Sequence, residues 1–229
     1  MTQMHSIILA AGKGERLRPL TDLVPKPLIA ISGITLLERN INRLYESGVR
    51  NIIVNGSKMG EQIESFLEKY EQSDMNIEFI NEGEEPLGTA GAIFNMIDSG
   101  LITDEHFWVI NADIMTNFSF KRIFLNPGIM GHVVMVPNPD HNPNGDFCLD
   151  GDRVTISNNQ RYTFSGISFF SVNCFRQSSQ RYFSLAELLN DYIDKKMITG
   201  ELFQGDWLDV GTSDRLAEAE EICTRKSNE

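Results

Sequence analysis

Apolar positions recur along the chain with two different periods. Short runs rich in β-branched residues at 6–9, 51–54, 76–80 and 106–111 read as strands. Between them, 35–47 sets Leu36, Leu37, Ile41 and Leu44 at helical spacing and meets Gly48, a natural C-terminal stop. Residues 60–70 place Ile63, Phe66 and Leu67 on one face, and 88–96 reads as a helix that opens with small residues. Strands that alternate with helices predict βαβ units and a mainly parallel sheet, so 1–115 reads as a doubly wound, Rossmann-like α/β unit.

Beyond 115 the pattern changes. Residues 132–136, 146–149, 153–156 and 163–171 are strand-like with short connections, and Asp150-Gly151 is a hairpin turn signal. A further helix is predicted over 184–195, with Leu185, Leu188, Leu189 and Tyr192 on its apolar face. Residues 206–209 read as a strand, and Thr212 or Ser213 caps a final amphipathic helix. No Pro-, Gly- or Ser-rich linker and no internal repeat interrupts the chain. The expectation is one continuous α/β domain over 1–229, with a mixed, partly antiparallel second half.

Composition narrows the chemistry. With 20 Lys plus Arg against 32 Asp plus Glu the net charge is −12, which disfavours a nucleic-acid partner. The charge is uneven: 1–27 holds four basic and two acidic residues, which leaves −14 on the remainder. A small cationic island in an anionic protein suits a compact polyphosphate. The three cysteines form no CxxC pair and the four histidines no HExxH, so reduced thiols in the cytoplasm and no transition-metal centre are expected. The apolar run near the start is too short for a signal peptide or a membrane span.

Four segments carry candidate chemistry. Leu9-Ala10-Ala11-Gly12-Lys13-Gly14-Glu15-Arg16 follows the first strand, where glycines let backbone N–H groups approach an anion. It is neither a Walker A loop nor a GxGxxG fingerprint, since Leu17 occupies the last position. Arg16 offers a planar fork of donors suited to phosphate. In Pro25-Lys26-Pro27 the flanking prolines stiffen the backbone and restrict where the lysine ammonium can point. Asp113 lies just past the end of a predicted strand, where α/β sheets gather ligands, and Asp209 ends another apolar run. If the fold joins them, the two carboxylates form a hard oxygen site for Mg²⁺.

Together, LAAGKGERLRPLT (9–21), PKPL (25–28), EPLGTAGA (85–92), NAD (111–113), FSGIS (164–168) and DWLDVGT (206–212) resemble the sugar-1-phosphate nucleotidyltransferase family. They occur in family order across nearly the whole chain. FSGIS and GELFQGDWLDVGTSDRLAEAE (200–220) are most similar to its short uridylyltransferase branch acting on N-acetylmuramate 1-phosphate.

The resemblance implies the reaction and the roles. A nucleoside triphosphate, UTP favoured, and a sugar 1-phosphate would give an NDP-sugar and pyrophosphate, with Mg²⁺ as cofactor. The mannose-1-phosphate guanylyltransferase and glucose-1-phosphate thymidylyltransferase branches are the alternatives, and a non-catalytic nucleotide-sugar-binding regulator is the rival class. The nucleotide part would be about 1–115 and the sugar part about 116–229. Leu9, Ala11 and Gly12 would meet ribose and base, and Gly12, Lys13 and Gly14 would cradle phosphates. Arg16 would hold the leaving pyrophosphate and Lys26 the α-phosphate and sugar phosphate. Gly88 would approach the nucleobase, with Glu82 or Glu85 as its partner. Asn111 and Gly166 would contact the sugar, and Asp113 and Asp209 would hold Mg²⁺. One departure stands out: Ser157-Asn158-Asn159-Gln160 replaces an acidic-acidic-Lys-Pro segment of many relatives, so Arg161 or Arg153 would have to supply the missing sugar-phosphate lysine.

Overall fold

The structure, a computed structural model, describes residues 4–70, 74–83, 87–157, 159–176 and 184–227, with side chains of the last helix through Arg225. The elements in chain order are β1 (His5–Leu9), β2 (Ala30–Ile31), β3 (Ile34–Thr35), α1 (Leu36–Glu46), β4 (Asn51–Gly56), α2 (Gly60–Leu67), β5 (Asn76–Asn81), α3 (Thr89–Asp98), β6 (His106–Asn111) and β7 (Ile114–Thr116). They continue with β8 (Gly131–Val136), β9 (Phe147–Asp150), β10 (Arg153–Thr155), β11 (Arg161–Ser171), α4 (Asn173–Arg176), α5 (Leu185–Asp194), β12 (Ile198–Leu202), β13 (Trp207–Asp209) and α6 (Ser213–Ser227). The fold is mixed α/β. The chain divides into two compact units, each assembled from separated stretches.

One unit comprises Ser6–Pro86, Asn111–Phe120 and Asp206–Glu229. Its strands run in the order β5-β4-β1, with β4 and β5 parallel from Asn51↔Asn76 to Gly56↔Asn81. Helix α1 forms because Thr35 caps it, its hydroxyl accepting the Glu38 N–H at 3.1 Å, and because Leu36, Leu37, Ile41 and Leu44 share a wholly buried face. Each such side chain contributes about 1.5–3 kcal/mol on burial. Helix α2 stops at Leu67 and tightens into a 3₁₀ turn at Glu68–Tyr70, where a continuous helix to 70 was expected. A second core joins Leu17, Ile29, Ile31, Leu36, Leu208, Val210 and Ala219, which anchors the glycine-rich loop and strand β13 to one apolar mass.

The other unit comprises Met1–His5, Leu87–Ile110 and Lys121–Gly205. Its strand order is β6-β11-β8-β12-β10-β9, antiparallel except for the parallel β12–β8 pair. Its core is aromatic: Trp108 sits 5.0 Å from Phe169, and Phe170 meets Phe175 edge-on at 5.3 Å between ring centroids. The β9–β10 hairpin pairs Asp150 with Arg153, so the turn is Gly151-Asp152, one residue later than expected, with Gly151 at φ 62°. Ser184 and Glu187 close a capping box at the start of α5. Strands β2, β3, β7 and β12 were not expected from the sequence. Among the described residues, no helix is long and apolar enough to cross a membrane.

Candidate active site

Within the first unit, the loop after β1 is shaped by Gly14. Its φ of 62° is left-handed, and a Cβ there would stand 2.9 Å from Thr21 Cγ2 and 3.1 Å from Lys26 Cβ. The Gly14 carbonyl accepts the Thr21 hydroxyl at 2.8 Å and the Leu17 N–H at 2.9 Å. Gly12 differs: nothing lies within 4 Å of the position its Cβ would take, so its backbone is open to a ligand. Ala10, Gly12, Lys13, Glu15, Arg18, Thr21, Pro25, Lys26, Ser57, Lys58 and Met59 line a cleft of about 320 Å³. Four of these side chains are cationic and one is anionic, which gives the cleft a positive field in a protein of net charge −12.

The cleft floor is held from β4. Asn55 is buried; its side-chain oxygen accepts the Ala10 N–H at 2.7 Å, and its amide nitrogen donates to Glu82 at 2.5 Å. Ser57 donates to the Ala11 carbonyl at 2.9 Å. Glu82 is thereby fastened to the start of the glycine-rich loop. Glu85 lies outside the described residues, as does Asn158.

Beside the loop, the turn after β6 is pinned at both backbone atoms of Ala112. Its N–H donates to the Leu9 carbonyl at 3.0 Å, and its carbonyl accepts from Asn40 at 3.1 Å. Asn111 and Asp113 flank that fixed residue. The Asp113 carboxylate pairs with the Lys26 ammonium, whose side chain is 11% exposed. Strands β7 and β13 then pair antiparallel, with Asp209 opposite Ile114, and the Val210 N–H donates to the Asp113 carbonyl at 2.9 Å. Asp209 is thus on this short ladder, and Asp113, far from Asp209 in sequence, immediately precedes it.

The Asp209 carboxylate pairs with Arg215 from the first turn of α6. Thr212 caps this helix: its hydroxyl accepts the Arg215 N–H at 3.4 Å. Arg16 is an exposed residue, and it does not line the cleft. A Cβ on Gly211 would lie 3.1 Å from an Arg16 terminal nitrogen and 2.5 Å from one of Arg215. Arg18, not Arg16, is the arginine in the cleft wall. Leu9, Ala11 and Gly14 are not among the residues that line it. Sequence reasoning missed Arg215, Asn55, Ser57 and Lys58. Only Arg215 carried a signal, as a basic residue placed at the positive end of a helix.

In the second unit, Gly88 is the residue before α3, at φ 74° and ψ 160°, a region open essentially to glycine alone. Gly166 has φ 78° and lies in a bulge of β11, where the register with β8 jumps between Phe164 and Ile167. Ser165 pins the bulge by donating to the Val134 carbonyl at 2.7 Å and accepting the Ile167 N–H at 3.2 Å. Arg153 donates to the Lys196 carbonyl, and Arg161 belongs to β11.

The sequence profile described as Nucleotidyl transferase matches residues 5–145. The N-acetylmuramate alpha-1-phosphate uridylyltransferase of Neisseria meningitidis serogroup B is 36% identical over 229 residues, which span 96% of this chain and 98% of that protein. The mannose-1-phosphate guanylyltransferase catalytic subunit beta of Danio rerio is 30% identical over 91% of this chain and 61% of its own length. Among solved structures, HddC from Yersinia pseudotuberculosis superposes with a TM-score of 0.80 at 26% identity, over 96% of this chain and 100% of that one. With more than half of its length matched by the family profile and one relative matched nearly end to end, this chain belongs to the nucleotidyl transferase family.

Proposed function

We propose that the chain joins UTP and N-acetylmuramate 1-phosphate, releasing pyrophosphate, as a cytoplasmic enzyme of cell-wall sugar recycling. What supports this reading is the β7–β13 ladder, where Asp209 pairs with Ile114 and the Val210 N–H donates to the Asp113 carbonyl, with Lys26 paired to Asp113 and Arg215 to Asp209, in the unit that also holds the glycine-rich loop. The Neisseria relative, named for this substrate pair and matched over 96% of the chain, supports the choice of substrates. None of this chain's three cysteines is in a disulfide, in keeping with a reducing compartment. We also infer that β1, β4 and β5 and their helices form the doubly wound, parallel nucleotide half.

The nucleophile, a phosphate monoester oxygen, is already anionic. No general base is needed, and the task is to hold two polyanions together and absorb charge in the transition state. The donor set of Asp113 and Asp209 fits Mg²⁺ in kind: two hard carboxylates, one in the β7–β13 ladder and one just before it, suit an ion that takes one or two carboxylates and completes its shell with phosphate oxygens. Bound there, the ion would neutralise phosphate charge as a Lewis acid. Among the described residues no group of three or more His, Cys, Asp or Glu stands ready to hold a metal, so phosphate oxygens would have to complete the shell.

The chain's own groups do the rest. Gly12 and Lys13 offer donors to the phosphates, and Lys26 neutralises the α-phosphate and sugar phosphate as they meet. Arg16 draws off the departing pyrophosphate. Glu82, held by Asn55, is assigned to the base and ribose, and Asn111 to the sugar. A matrix of nucleoside triphosphates against sugar 1-phosphates, read by pyrophosphate release, tests the assignment. Strong preference for UTP with N-acetylmuramate 1-phosphate supports it. Preference for GTP with mannose 1-phosphate or dTTP with glucose 1-phosphate replaces the substrates, and no release with any pair removes the activity.

A further inference from the structure

We propose that Lys58, carried on the turn after β4, holds the two outer phosphates of the nucleoside triphosphate. The inference rests on the nucleotidyl-transfer reading and adds a binding residue to it.

The turn that carries Lys58 is fixed from both ends. Ser57 is 8% exposed; its hydroxyl donates to the Ala11 carbonyl at 2.9 Å, and its own carbonyl accepts the Gly60 N–H at 2.8 Å. Gly60 packs so closely on β5 that a Cβ there would lie 3.1 Å from both the Asn81 amide nitrogen and the Phe79 ring. Between these anchors Met59 takes a left-handed conformation, φ 61° and ψ 24°, which disfavours any residue with a Cβ. Such a conformation persists only where the surroundings over-determine it. The Lys58 backbone is thus tied to the glycine-rich loop on one side and to β5 on the other, while its exposed side chain lines the cleft.

The charges of the cleft are already divided. Arg18 stands 3.3 Å from Asp22, and Lys26 pairs with Asp113. Among the described residues Lys13 and Lys58 enter no ion pair, and Glu15 is the one acidic residue of the lining. Glu61, in the first turn of α2, is exposed and does not line the cleft. Both lysines are exposed, so placing them there costs the fold little desolvation and leaves their charge available to a ligand.

The ligand group follows from what is left over. Lys26 and Asp113 belong to the reacting α-phosphorus in the nucleotidyl-transfer reading. Lys13, from the loop after β1, and Lys58, from the turn after β4, then bring two uncommitted cations to one cleft of about 320 Å³. A nucleoside triphosphate carries most of its charge on the β- and γ-phosphates. An ammonium is a point charge on a flexible stem, and over a fixed backbone it can follow those oxygens as they depart together as pyrophosphate. The contact is made before and during transfer alike, so it contributes to affinity and little to the barrier.

The test joins steady-state kinetics to titration calorimetry, on the full chain at constant MgCl₂. Lys58→Gln should raise the KM for UTP about tenfold, the loss of one charge-assisted hydrogen bond, with kcat within about twofold and the KM for the sugar 1-phosphate unchanged. The same variant should bind inorganic pyrophosphate about tenfold more weakly and UMP as tightly as the wild type. Lys58→Arg, which keeps the charge, should recover most of both losses. Lys69→Gln removes an ammonium that pairs with Glu38 just beyond α2, and should change neither. An unchanged KM for UTP in Lys58→Gln, a fall in kcat with KM intact, or equal weakening of pyrophosphate and UMP overturns the proposal. If the wild type turns over and Lys58→Gln matches it in every reading, this inference alone fails. If the wild-type chain neither binds nor releases pyrophosphate, the reading beneath it fails as well.

Discussion

Replacing Lys26 separates what its ion pair does for the fold from what it does for the reaction. The ammonium pairs with Asp113 at 11% and 26% side-chain exposure, so the pair is shielded from solvent but not sealed. Lys26→Met keeps the stem that packs above Gly14 and leaves Asp113 without its cation. Loss of a hydrogen bond to a charged group, discounted for partial exposure, should cost about 1–2 kcal/mol of stability. Loss of one preorganised charge at the reacting phosphate should cost about 3–4 kcal/mol of barrier, or roughly a hundred- to a thousandfold in kcat. In the double variant Lys26→Met, Asp113→Asn the uncompensated carboxylate is gone, so much of the stability should return while turnover stays low. Urea unfolding and pyrophosphate release on the same preparations provide both readings. Near-wild-type kcat in folded Lys26→Met, or recovery of turnover in the double variant, would refute the role given to this lysine.

Other consequences follow from local chemistry. Gly14→Ala should destabilise the chain by about 1–3 kcal/mol in chemical denaturation, because φ is 62° and the new methyl meets Thr21 and Lys26. Hydrogen bonds from the Ser184 backbone and hydroxyl hold the Glu187 carboxyl below its usual 4.5. Its contribution is therefore complete above that value and lost as pH falls through the lowered one, so Glu187→Gln should flatten the acid limb of a stability–pH curve. Ser32 acts likewise on Glu220, and Ser32→Ala should bring that carboxyl back toward the ordinary range in an NMR titration. Burial, helped by Asp191, pushes the Cys174 thiol far up, so a thiol reagent at pH 8 should modify the half-buried Cys223 well before Cys174.

The helices with one-sided apolar faces were legible because burial on one side leaves its period in the sequence, as at Leu36, Leu37, Ile41 and Leu44. The glycine-rich loop was legible as a motif, though its two glycines serve opposite ends: Gly14 closes a turn and Gly12 stays open. Strand β7, three residues long, is too short to show alternation, yet it sets the register of Asp209. Strand β12 hides behind Gly200, where a Cβ would meet Val154 at 2.8 Å; close packing selected glycine where propensity argues against a strand. The sequence singled out Arg16 as the phosphate arginine, whereas it is Arg18 that lines the cleft beside the glycine-rich loop. Arg215, a basic residue at the positive end of a helix, is tied to Asp209 by burial and an ion pair that only the fold reveals.

The most direct measurement is a ³¹P NMR time course on the purified chain with UTP, N-acetylmuramate 1-phosphate and Mg²⁺, run beside Asp113→Asn and Asp209→Asn. The account predicts matched growth of pyrophosphate and sugar-diphosphate resonances in the wild type, slowed by about a hundredfold or more in each variant. Inorganic phosphate as the product, or either variant turning over at the wild-type rate, would contradict it.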